Sequence, residues 1–345
     1  MNCYFVYYGM LPENNDRCYI HEELSKYREV KVLSPLRFLQ RSFAIWPYWT
    51  KIGKIISLIN YLCNSVRILL KTNRDDVIIC ESHGTSLILN MICIIMGLPR
   101  KIVGFNWIEM PKKRYDYLAE SALKNKNYIA LINDKQLRHK LIDKYKLKDC
   151  HCFFIPDTYD IKDLFKKPIY KKDKYIFSGG INNRDWQTLI ECAKQTPYIK
   201  YKIVATKDFF CEKNMPANVE VLFDINQESY YKLISEAYIT VITLNENKSS
   251  GLINIIKSHQ YGVPSICTEI NAIQIYYPDE IRDKCLCTPK DVDDLVSKVL
   301  YMYRLDEKNY IDLSEKIQKY LHKEFSPAKQ IKKIVDLLDK YKWEK

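Results

Sequence analysis

Short runs of β-branched and aromatic residues alternate with helix-period segments from end to end of the chain. In the first half the runs are Cys3–Tyr8, Val30–Leu33, Val77–Cys80, Lys101–Phe105, Tyr128–Ile132 and Cys152–Ile155. In the second half they are Tyr175–Phe177, Tyr201–Val204, Val219–Leu222, Thr240–Thr243, Ser265–Cys267 and Cys285–Cys287. Runs this short and this continuously apolar fit strands buried on both faces. Between them, Trp186–Gln195, Glu228–Ala237 and Val292–Tyr303 carry apolar residues every three or four positions, the period of a helix. Strand–helix alternation predicts parallel sheets covered by helices on both sides. The series breaks at 156–174, a polar stretch rich in Asp, Lys and Tyr that contains Pro156 and Pro168 and reads as a linker. The pattern therefore predicts an α/β chain of two Rossmann-like, doubly wound domains, 1–156 and 175–325, facing a central cleft. The tail reads as two helices parted at Ser326–Pro327, where proline restarts the second in its first turn. Segment 326–345 is expected to pack back toward the first domain.

Composition adds little to the fold but locates the chemistry. The 345 residues are 47% hydrophobic and 28% charged, which excludes a disordered, collagenous or fibrous chain. Only nine are glycine, where average usage of roughly 7% would give about two dozen. Gly179–Gly180 follow the run Tyr175–Phe177 and precede a helix opened by Asp185–Trp186; Gly251 lies between Thr243 and the helical pattern Leu252–Tyr261, which Gly262 ends. Both loops stand at the carboxyl end of a predicted parallel strand and lead into a helix. Helix N-terminal N–H groups face that crevice, so it is a place for an anion. Ser249 and Ser250 add hydroxyl donors to the second loop, and Arg184 offers a guanidinium from the first. Neither loop is G-x-G-x-x-G or a P-loop, which argues against ordinary dinucleotide binding and P-loop hydrolysis.

The residues around these loops resemble a known family. Tyr175–Ile190, Val219–Tyr231 and above all Ser249–Thr268, with its spacing from Gly251 to Gly262-Val263-Pro264, are similar to the donor domain of family 4 (group 1) glycosyltransferases of the GT-B fold. The resemblance spans about residues 175–300. It implies a nucleotide-sugar donor, a UDP- or GDP-sugar, held by the second domain, and a glycan or lipid-diphosphate-linked acceptor held against the first. It also implies a role in bacterial surface polysaccharide or lipopolysaccharide synthesis. Where the family commonly places Arg and Lys on the donor phosphates, this chain has Gly180 and Arg184. Where it commonly places two glutamates, this chain has Ser249 and Lys257. The implied donor site is then Gly179, Gly180, Ser249, Ser250, Gly251 and Leu252, with Leu222 and Asp224 near the base and Glu269 near the sugar. Arg184, Lys257 and the amides around Gly251 would stabilise the leaving diphosphate. Tyr231 is a candidate stacking partner for the base, and Phe223 reads equally as core. No cofactor and no metal are expected; the pairs Asp75–Asp76 and Asp293–Asp294 read as loop and helix-start residues.

In the first half, Gly9 and His83 both follow strands at their carboxyl ends. His83 is a candidate to polarise a sugar hydroxyl or act as base, or it is an ordinary loop residue. The charge is uneven: net +12 overall, with +10 of it in residues 1–150. Between Lys31 and Arg74 there are eight basic residues and no acidic one. Aromatics interleave with them at Phe38–Trp49, and Ile52, Ile55, Ile59, Leu62 and Val66 follow at helical spacing. Arg37, Arg41, Trp46, Trp49, Lys51 and Lys54 are therefore candidates for an acceptor or an anionic membrane surface; one core helix plus an acceptor loop fits the same pattern. Ser82–Pro99, uncharged but carrying His83, Gly84 and Asn90, falls short of a membrane span. The twelve cysteines lack zinc-ligand spacing and read as small buried hydrophobes. The expected location is cytoplasmic, peripheral at the inner face of the cell membrane. Two other functions fit the elements: a nucleotide-sugar epimerase using His259 and Glu269, and a non-catalytic polyanion binder. No nucleic-acid motif is present.

Overall fold

A computed structural model describes residues 2–7, 19–34, 50–105, 107, 116–147, 151–207, 215–245 and 250–344. They fall into two units, 1–156 with 327–345, and 157–326. The first unit holds a sheet of β1 (Cys3–Val6), β2 (Val30–Leu33), β3 (Val77–Cys80), β4 (Lys101–Gly104), β5 (Tyr128–Ile132) and β6 (Cys152–Phe154), in the order β2-β1-β3-β4-β5-β6. Every pairing is parallel, with Cys3 opposite both Val30 and Val77. Side chains alternate between two cores: Tyr4 and Val6 pack on one face of the sheet, Cys3, Phe5 and Tyr7 on the other. This two-sided burial is why the strands read as unbroken apolar runs. Its helices are α1 (Tyr19–Ser25), α2 (Lys51–Leu69), α3 (His83–Ile95), α4 (Asp116–Lys124) and α5 (Lys135–Tyr145), joined by a helix from the far end of the chain, Pro327–Lys340. Ile331, Ile334, Val335 and Leu338 of that last helix complete the core around Phe5 and Tyr7.

The second unit repeats the scheme with β7 (Tyr175–Gly179), β8 (Lys200–Ala205), β9 (Val219–Phe223), β10 (Ile239–Ile242), β11 (Ser265–Thr268) and β12 (Leu286–Cys287), ordered β12-β11-β10-β7-β8-β9 and again all parallel. The helices that matter for the site are α6 (Trp186–Gln195), α7 (Gln227–Glu236) and α8 (Leu252–Gln260). Strand β7 runs two residues past its apolar run, so Gly179 closes the strand and the loop begins at Gly180. The polar stretch after Pro156 belongs to this unit. Tyr159 is buried in its core, Lys166 N donates to Gln260 O at 3.1 Å, and Gln260 Nε2 donates to Asp160 O and Asp163 O. Polar composition here marks a strap hydrogen-bonded across the end of α8, not a free linker.

Candidate functional site

In the second sheet the strand order reverses between β7 and β10: the chain moves from β7 outward to β8 and β9, then from β10 outward to β11 and β12. Connections diverge there and leave a crevice at the strand carboxyl ends, the position where open α/β sheets take ligands. The two glycine loops singled out by the sequence follow these two strands.

Hydrogen bonds onto main-chain carbonyls lock the loops together. Asp185 N donates to Thr243 O at 3.0 Å, Thr243 Oγ1 to Asp185 O at 2.6 Å, Asn245 N to Asn183 O at 3.2 Å and Asn245 Nδ2 to Arg184 O at 2.7 Å. Asp185 also caps α6, accepting from Thr188 N at 3.1 Å. Arg184 is thus fixed at both neighbours before its side chain does anything.

That side chain is the chemical centre of the site. Arg184 is 9% exposed. Its Nε donates to Gly179 O at 2.9 Å, and Nη1 donates to Asn182 O at 2.8 Å and to Ser250 Oγ at 3.2 Å. Among the described residues no carboxylate pairs with it and Nη2 makes no hydrogen bond. Burial pulls its pKa down from the ordinary guanidinium range, because a charged group loses water there. The adjoining glycines make room for it. Gly180 sits at φ +129°, and a Cβ there would fall 2.2 Å from Nη2; Gly251, at φ +78°, would place one 3.7 Å from both Nη atoms. Gly251 is also the N-cap of α8, without a side-chain cap, and the first bond closing the helix runs from Ile255 N to Gly251 O. The N–H groups of the first turn of α8 therefore stand beside the Arg184 guanidinium. A buried cation, an uncapped helix N-terminus and glycine-cleared space are the elements of a candidate anion site.

Two side chains that support it were not legible from spacing. Asn254 Nδ2 donates to Gly179 O at 2.8 Å and to Tyr230 Oη at 2.7 Å. Tyr230 packs edge-on against Phe177, centroids 5.2 Å apart, and burial pushes its phenol up to about 12. Both stand inside helical patterns that read as plain amphipathic faces. The polar Asn254 in an otherwise apolar first turn is the one signal that could have drawn attention.

The remaining candidates are placed as follows. Gly179, Gly180, Arg184, Ser250, Gly251 and Leu252 come together. Leu222 is half-buried against the core in edge strand β9, and Asp224 follows it at φ +52°, its N–H bonded to Ala205 O. Phe223 is 37% exposed, so it is not core. Tyr231 accepts a hydrogen bond from Gln227 and lies under the Lys257 ammonium, 4.8 Å from ring centroid to Nζ. Glu269 follows β11 and lines a cavity of about 500 Å³ with Arg282, Thr288, Asp294 and Lys298; it accepts from Gln274 Nε2 at 3.0 Å. Lys257 does not join Arg184. It is 3% exposed in the last turn of α8, ion-paired to Asp163 and, at 3.6 Å, to Asp160. Its charge is consumed in tying down the strap, because a buried ammonium needs a counter-charge and the strap supplies two. In the first unit, His83 opens α3 at the corresponding reversal of strand order, between β1 and β3, its ring 6.3 Å from that of Trp107. Lys51 and Lys54 are exposed in the first turn of α2. Gly9, Arg37, Arg41, Trp46, Trp49 and Ser249 lie outside the described residues.

His259 is not in the crevice. It is 1% exposed, with Nε2 2.8 Å from Ser265 Oγ, and burial pushes its pKa down to about 3. A sequestered neutral imidazole cannot serve as the acid–base group of an epimerase. It has a consequence for stability instead. Between pH about 6.5 and 3 the unfolded chain binds a proton that the folded chain refuses, so stability falls as pH drops through that window, by up to about 4 kcal/mol. Urea midpoints measured across it should fall less steeply for His259→Gln than for the natural chain; parallel curves would contradict the assignment.

Neither a family model nor a curated protein matches the sequence. Solved structures do match over the whole chain. An E. coli trehalose-6-phosphate structure bound with UDP-2-fluoro glucose aligns at TM-score 0.71 and 10% identity, covering 99% of each chain. Anabaena HepE in complex with UDP and glucose aligns at TM-score 0.70 and 14% identity, over 98% of this chain and 99% of that one. A glycosyltransferase from Rickettsia africae aligns at 0.66 and 13% identity, over 99% and 98%. The fold is GT-B. In this chain the fold is built from two parallel six-stranded sheets, each with its own order reversal.

Proposed function

We propose that this chain is a glycosyltransferase, moving a sugar from a UDP- or GDP-sugar to a glycan or lipid-diphosphate-linked acceptor. The observation that carries the reading is Arg184: a buried guanidinium with no carboxylate partner among the described residues, between two glycines and a helix N-terminus at the β7/β10 crevice. Breaking a glycosidic bond to a nucleoside diphosphate puts negative charge on the leaving oxygen. A fixed cation and helix amides in a dry site favour that charge in the transition state over the ground state. Arg184 supplies the charge that a metal supplies elsewhere, so we take hexosyl transfer here to be metal-independent, and EDTA should leave turnover unchanged. The resemblance of residues 175–300 to family 4 and the nucleotide and sugar bound by HepE support the donor class. Synthesis of a bacterial surface polysaccharide or lipopolysaccharide is the setting that resemblance favours.

A thermal-shift screen of UDP-, GDP- and CMP-sugars tests the reading. A ligand at a hundredfold excess over Kd stabilises by about 2.7 kcal/mol, several degrees in Tm for a domain of this size. We expect such a shift with one nucleotide class. No shift with any of the three would overturn the proposal.

A further inference from the structure

Helix α2 is amphipathic in the wrong direction for a core helix. Its buried positions are Gly53, Asn60, Asn64, Ser65 and Ile68, four of them polar or glycine. Asn64 Nδ2 donates to Asn60 Oδ1 at 3.1 Å, and Arg67 Nη1 donates to Ser34 O, so the inward face is held by hydrogen bonds. The outward face carries the large aliphatics: Ile52 43%, Ile55 60%, Ile59 43%, Leu62 42%, Val66 51% and Leu70 82% exposed. At 1.5 Å per residue they form a stripe about 27 Å long. Contiguous apolar surface of this extent marks an interaction site rather than ordinary scatter. The next helix ends in the exposed Ile94, Ile95 and Met96, and Arg100 Nη2 just beyond binds Thr72 O, which brings that apolar end to the same end of α2.

We propose that this face of α2 seats in the surface of an anionic lipid bilayer, the helix lying in the membrane plane. Charge decides between occupants. Lys51 and Lys54 are exposed at one end of the stripe, Lys71 and Arg74 at the other, and no acidic residue occurs from Lys31 to Arg74. A second copy docked two-fold on the stripe would bring lysine toward lysine with no carboxylate between them. An anionic leaflet gives each basic residue a partner while the aliphatics leave water. Length and composition would also let α2 span a bilayer, but its polar face is already built into the first unit. Sugar transfer is not assumed, so failure of this inference and failure of the nucleotide-sugar reading are separately visible.

The test is flotation of the full chain with phosphatidylcholine vesicles, with and without phosphatidylglycerol, alongside Ile55→Glu/Leu62→Glu and Lys51→Glu/Lys54→Glu. Both pairs are exposed, so melting temperatures should match the natural chain. The natural chain should float with phosphatidylglycerol vesicles. The glutamate pair on the stripe should not float at all, and the lysine pair should lose the anionic preference, about fivefold per lysine. Three results would overturn the proposal: no flotation of the natural chain, undiminished flotation of Ile55→Glu/Leu62→Glu, or a solution dimer that this variant dissociates while vesicles are ignored.

Discussion

Arg184→Ala should lower kcat/KM for sugar transfer by about two to three orders of magnitude, the scale seen when one preorganised donor is taken from a developing oxyanion. The loss should fall on kcat as well as KM, because the charge Arg184 meets grows as the bond breaks. Folding should survive. Alanine forfeits the bonds to Gly179 O, Asn182 O and Ser250 Oγ but also removes a buried cation that no described carboxylate pairs. The zipper between residues 183–185 and 243–245 uses main-chain groups and the Thr243 and Asn245 side chains, not the Arg184 side chain, and remains. Arg184→Lys should recover only part of the activity, since an ammonium cannot hold Gly179 O and Asn182 O and still face the crevice. Steady-state kinetics on the two variants, with circular dichroism as the folding control, decide it. Undiminished kcat/KM in the alanine variant would remove Arg184 from the chemistry.

The second large effect separates Lys257 from Arg184. Lys257→Met leaves Asp160 and Asp163 without their cation beside a buried helix end, and should cost about 3 kcal/mol of stability, the scale of a broken buried pair. The nucleotide affinity should be unchanged. Adding Asp163→Asn should restore part of the stability, because one of the two carboxylates left without Lys257 is then neutral. Denaturant midpoints and a nucleotide titration on the same samples give both readouts. An intact midpoint with weakened nucleotide binding would return Lys257 to the donor site.

What the sequence conveyed and what it withheld follow one physical line. Strands of parallel sheets are apolar on both faces, so all twelve runs appear as strands, most with an end shifted by a residue or two, as at Gly179, Ala205, Ile239 and Leu286. Glycine scarcity made the loops at Gly180 and Gly251 stand out, and both occupy conformations with positive φ that side chains resist. Partners distant in sequence were not readable. Lys257 meets Asp163 across 94 positions, and Asn254 meets Gly179 across 75. Spacing could assign neither. Lys257 was therefore expected among the donor ligands, and 156–174 was expected to be a linker. Periodicity also shows that α2 has an apolar stripe without showing which way it points. Only the burial of Asn60 and Asn64 reveals that the stripe faces outward.

The central claim is that the crevice beside Arg184 holds a nucleoside diphosphate by its phosphates. Isothermal titration with UDP or GDP, whichever the screen selects, against the matching nucleoside tests it most directly, in the natural chain and in Arg184→Ala. The diphosphate should bind, the nucleoside should bind far more weakly, and Arg184→Ala should bring the diphosphate down toward the nucleoside. Equal affinity for diphosphate and nucleoside, or diphosphate binding untouched by Arg184→Ala, would contradict it.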